Sequence, residues 1–81
     1  MEGHVLRVRG TVQGVGFRPR VATLARTMGL SGWVRNDGDG VTIALVADEG
    51  AAARFREALL ASLPPLARVD AITIASAAIE G

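Results

Sequence analysis

The segment Gln13-Gly14-Val15-Gly16-Phe17-Arg18 links a strand-like run to a helix-like one and has the composition of an anion cradle. Backbone N–H groups at a helix start lack intrahelical partners, and the helix dipole favours negative charge there. Gly14 and Gly16 let the chain curl so that several N–H groups converge. Arg18 adds a planar fork that can take two phosphate oxygens at once. The alternative is a tight turn whose arginine pairs with a surface acid. Asn36 lies eighteen residues beyond Arg18. Its amide donates and accepts hydrogen bonds but cannot take a proton, so it could hold a water with a lone pair aimed at phosphorus. Alternatively, Asn36 simply begins the turn that follows it.

The remaining residue types narrow the chemistry. There is no cysteine, and the single histidine is His4 beside the N-terminus. Disulfides, cysteine nucleophiles and Cys-based or multi-His metal sites are therefore excluded, and no cofactor is expected. Phosphoryl transfer asks mainly for positioning and charge stabilisation. An acyl phosphate already carries a weakly basic carboxylate as leaving group. One arginine, a ring of N–H groups and an oriented water suffice for it, whereas a phosphate monoester would be far harder.

The elements that must hold these groups follow from periodicity. Leu6, Val8 and Val12 share one face of an alternating segment and Arg7, Arg9 and Thr11 the other, which predicts a half-buried strand. Gly10 falls on the Leu6 face, where another backbone can approach closely. Pro19 suits a first helical position, and Val21, Leu24, Ala25 and Met28 form the apolar stripe of a helix of about ten residues. Gly29 should end it with a left-handed cap, Leu30 supplying the accompanying hydrophobic contact. Gly32–Asn36 reads as a second strand, Asp37-Gly38-Asp39-Gly40 as a hairpin turn, and Val41, Ile43 and Leu45 as a third strand. Asp48-Glu49-Gly50 opens a second helix with Ala52, Phe55, Leu59 and Leu63 inward, stopped by Pro64-Pro65. Val69–Ala75 reads as a fourth strand, and Ser76–Gly81 shows no pattern.

The order β-α-β-β-α-β places two helices on one face of an antiparallel sheet, with strands one and three in the middle. Strands one and two then run the same way, with the third descending between them. Their exits lie at one end of the sheet, about 10 Å apart at a strand spacing of about 4.8 Å. A long arginine side chain spans that gap, so Arg18 and Asn36 can share a pocket.

With 81 residues the chain is one domain. A domain of this size buries only about 60% of its unfolded surface, which allows one core. No apolar run nears the ~20 residues of a membrane span, and no signal-peptide core precedes the first strand. A reducing, cytoplasmic setting is the default. All nine basic residues are arginine. Residues 1–40 carry six Arg against three acids (+3), and residues 41–81 three Arg against five acids (−2).

Gly10-Thr11-Val12-Gln13-Gly14-Val15-Gly16-Phe17-Arg18 resembles the first signature of acylphosphatases, and Gly32-Trp33-Val34-Arg35-Asn36 with Gly40 resembles the second. Pro19 after the arginine, and Pro64-Pro65-Leu66-Ala67-Arg68-Val69-Asp70, are similar to the N-terminal domain of the carbamoyltransferases that mature nickel–iron hydrogenases (HypF). The resemblance implies a ferredoxin-like α+β two-layer sandwich and carbamoyl phosphate as substrate. It implies that Arg18 and the backbone of Gln13, Gly14, Val15, Gly16 and Phe17 bind phosphate, and that Asn36 orients the water. It implies further that residues 1–81 are a domain of a larger carbamoyltransferase, whose other domains are its partners and which supplies the carbamoyl group for a cyanide ligand. Family members usually continue into a short closing strand, so the chain reads as truncated and as prone to self-association through an exposed edge. A competing expectation is a domain that binds carbamoyl phosphate without hydrolysing it. Nucleic-acid binding fits poorly, because the aromatics are only Phe17, Trp33 and Phe55. Trp33 and Phe17 are expected in the core, His4 exposed at a strand edge, and Arg7 and Arg9 on a solvated sheet face. The Pro64–Asp70 segment either contacts the rest of a larger protein or is a plain helix stop.

Overall fold

The structure, a computed structural model, describes residues 1–79. The elements run β1 (Glu2–Thr11), α1 (Phe17–Thr27), β2 (Ser31–Asp37), β3 (Gly40–Val46), α2 (Glu49–Ala61) and β4 (Arg68–Ala78). They form the expected ferredoxin-like α+β sandwich. The single antiparallel sheet has the order β2-β3-β1-β4, with strands one and three central. Registers Leu6↔Ile43, Val8↔Val41 and Leu6↔Ile74 set the apolar face towards the helices. There Phe17 and Val21 of α1 and Phe55 and Leu59 of α2 complete one core.

Local signals explain the helix ends. Asp48 Oδ1 accepts from the Ala51 N–H at 2.7 Å, a cap that contributes about 1 kcal/mol. At the end of α1, Gly29 is left-handed at φ 70°, with Leu30 N–H donating to the Ala25 carbonyl at 2.8 Å, as its sequence predicts. Helix α1 starts at Phe17 rather than Pro19, so the proline is its third residue. First-turn N–H groups have no helical partner in any case, so proline is harmless there.

Three expectations need correction. β4 continues through the patternless Ser76–Ala78, because Glu2↔Ala78, Gly3↔Ala77 and His4↔Ser76 pair through backbone that needs no side-chain alternation. Ile79 adds a further backbone bond to Met1 and is buried, while Glu80 and Gly81 lie outside the described residues. His4 is not at a strand edge: it lies half-buried on central β1, with Nδ1 2.8 Å from the Ala47 carbonyl. Trp33 is not in the core. Paired with Ala44 on the helix-free face, it is 39% exposed under the guanidinium of Arg35, 4.8 Å from the ring centroid. Phe17 is in the core as expected, and Arg7 lies on the solvated face. Gly10 sits at a bulge against the Arg68 carbonyl, the close backbone approach its position anticipated.

Phe55 is fully buried at the centre of the helix layer. Phe55→Ala is expected to cost about 3–5 kcal/mol, a large share of the stability of so small a domain. Urea unfolding followed by Trp33 fluorescence measures it.

Candidate active site

Both chain segments expected at the site leave the sheet at the same end. β1 and β2 each run antiparallel to β3, so the exit of β1 into Gln13–Gly16 and the exit of β2 into the hairpin turn are neighbours. Gln13 joins them directly. Its side-chain Nε2 donates to the Gly38 carbonyl at 3.0 Å and the Gly40 carbonyl at 2.8 Å. The side chain that ties the loops together is therefore Gln13, a part its sequence position did not reveal. A long donor arm beside two neighbouring exits was the available signal.

The loop has the backbone that converging N–H groups require. Gly14 (φ 73°) and Gly16 (φ 80°) are left-handed, and a Cβ at either would meet nothing within 4 Å. The cradle is thus open to solvent at its glycines rather than packed shut. Gly16 is the N-cap of α1, without a side-chain cap bond and with no acid in the first turn. The helix starts with the Arg20 N–H donating to the Gly16 carbonyl at 3.3 Å. The N–H groups of Phe17 and Arg18 precede it, at the positive end of the dipole.

Arg18 is exposed and makes no ion pair among the described residues, so the alternative of a turn arginine bound to a surface acid is not what the fold adopts. Asn36 pairs with Val41, which puts its side chain on the helix side of the sheet, the side on which α1 begins. The turn is held by Asp37 instead. Its Oδ2 accepts from Thr42 Oγ1 at 2.7 Å and lies 3.7 Å from Arg7 Nη1. Asn36 itself makes no side-chain hydrogen bond among the described residues. An unpaired guanidinium, a curled loop rich in N–H groups and an unpaired amide at one end of the sheet suit a tetrahedral dianion and a water. No helix among the described residues is long and apolar enough to cross a membrane.

The acylphosphatase family model matches residues 4–81. The chain is 60% identical over 67 residues to the carbamoyltransferase HypF2 of Cupriavidus necator, covering 83% of this chain and 8% of that protein. It is 41% identical over 80 residues to an acylphosphatase of Burkholderia ambifaria, covering 99% of this chain and 82% of the relative. The crystal structure of acylphosphatase from Bacillus subtilis superposes with a TM-score of 0.84 at 35% identity, covering 100% of this chain and 91% of that one. The chain spans a tenth or less of the length of the carbamoyltransferases it matches.

Gly16 tests the backbone geometry without touching a side chain. Gly16→Ala meets no steric obstacle but must hold a left-handed φ, which costs roughly 1–2 kcal/mol. A lowered urea midpoint is the expected outcome.

Proposed function

The chain belongs to the acylphosphatase family, and from that premise we propose that it hydrolyses acyl phosphates, with carbamoyl phosphate as substrate, as a domain of a larger cytoplasmic carbamoyltransferase. In this reading the N–H groups of Gln13, Gly14, Val15, Gly16 and Phe17 and the fork of Arg18 bind the phosphoryl group. Asn36 orients the attacking water. The water oxygen bonds to phosphorus, the P–O bond to the acyl carboxylate breaks, and carbamate leaves. The proton lost by the water ends on the released phosphate, since neither Arg18 nor Asn36 can accept it. Catalysis is then charge stabilisation and positioning, which the arrangement of a cationic fork and helix-start N–H groups supports.

The observation that carries this reading is that Arg18 and Asn36 are both unpaired among the described residues, while their neighbours Gln13 and Asp37 are engaged in holding the two loops. Carbamoyl phosphate as substrate rests on the 60% identity to a carbamoyltransferase, against 41% to a separate acylphosphatase. The same difference favours a second reading, a domain that binds carbamoyl phosphate but works only within the larger protein. Turnover of a generic acyl phosphate such as benzoyl phosphate by the 81-residue chain distinguishes the two.

Arg18→Ala is expected to keep the thermal midpoint, because the side chain is exposed and unpaired, while hydrolysis falls by the equivalent of about 2–4 kcal/mol of transition-state stabilisation. Arg18→Lys should also be poor, because a point charge does not replace the fork. Hydrolysis near wild type by folded Arg18→Ala would remove the cradle assignment. Asn36→Ala should lower kcat with little change in KM, the pattern of a group that acts on the way to the transition state. A raised KM with unchanged kcat would make Asn36 a binding residue instead.

A further inference from the structure

We propose that the side-chain amide of Gln13 is a positioning device that couples the phosphate-binding loop to the hairpin carrying Asn36; this rests on the reaction assigned above. One amide nitrogen donates to both the Gly38 and Gly40 carbonyls, at 3.0 and 2.8 Å. Those acceptors bracket Asp39, in the turn that begins two residues after Asn36. On the other flank, Asp37 accepts from Thr42 within the hairpin at 2.7 Å and faces Arg7 of β1 at 3.7 Å. The Gln13 amide is therefore the direct tie between the loop and the hairpin turn. Asn36 has no side-chain bond of its own among the described residues, so its direction follows from the backbone that is tied.

The consequence concerns turnover more than folding. A neutral, partly exposed hydrogen bond adds little net stability. A displacement of about 1 Å at a reacting group, by contrast, costs about a hundredfold in rate. Because Gln13 is also the first residue of the cradle, an anion that tightens the loop pulls through the same amide on the hairpin. Phosphate binding and the placement of Asn36 thus become one event rather than two.

Gln13→Met keeps the length of the side chain and the backbone N–H but removes both donors. With benzoyl phosphate, kcat is expected to fall about tenfold or more, while inhibition by inorganic phosphate weakens by a smaller factor, since the coupling is reciprocal. In an Asn36→Ala background the same substitution should add almost nothing, because the residue through which it acts is gone. An unchanged kcat, or a double variant whose loss is the product of the two single losses, would overturn the proposal. A second measurement does not depend on turnover or on the variant folding. In the wild-type chain, titration with inorganic phosphate should shift the backbone amide resonances of Asn36, Gly38 and Gly40 along with those of the cradle; hairpin resonances that stay still would refute the coupling. Full hydrolysis by Arg18→Ala would instead refute the underlying assignment, and with it this inference. An inactive Arg18→Ala beside a fully active Gln13→Met would refute the coupling alone.

Discussion

The insertion of β3 between β1 and β2 is the constraint on which the rest of the molecule depends. A right-handed crossover through α1 brings β2 back parallel to β1 but one strand away, and only an antiparallel strand from a tight hairpin fits the slot. All of Gly40–Leu45 is buried there, so β3 cannot slip without exposing Val41, Ile43 and Leu45. Once it is seated, the exits of its two neighbours are fixed side by side. The distance between a helix start and a hairpin turn is then set by strand spacing, which is far stiffer than any loop.

Polar groups at that end divide by role. Gln13, Asp37 and Thr42 are joined to one another's segments. Arg18 and Asn36 are left without side-chain partners among the described residues. A protein selected for stability alone gains little from leaving a guanidinium and an amide unpaired. The division makes sense if the groups left over meet something that is not part of the chain.

The architecture and the meeting of the two loops were legible in the sequence, because both follow from apolar period, turn residues and handedness. Caps at Asp48 and Gly29 were legible for the same reason: each depends on one local residue type. Trp33 was misread because a strand signal does not say which face is covered, and in a two-layer fold only one is. His4 was misread because the start of β1 lacks apolar alternation, so the extent of that central strand back through residue 4 was hidden. Ser76–Ala78 concealed a strand in the same way. The amide of Gln13 escaped notice. Its acceptors are backbone carbonyls more than twenty residues away, which no side-chain pattern records.

The pairing of the first and last described residues has a mechanical consequence. The Met1 ammonium donates to the Ile79 carbonyl at 2.9 Å, and the Ile79 N–H returns a bond to the Met1 carbonyl at 2.6 Å. β1 and β4 run antiparallel from that point, so force applied across Met1 and Ile79 would load their hydrogen bonds one after another, as in a zipper, rather than all together in shear. Such a unit yields at low tension from one corner while its opposite end, where β1 meets the β2–β3 hairpin, is the last to feel the pull.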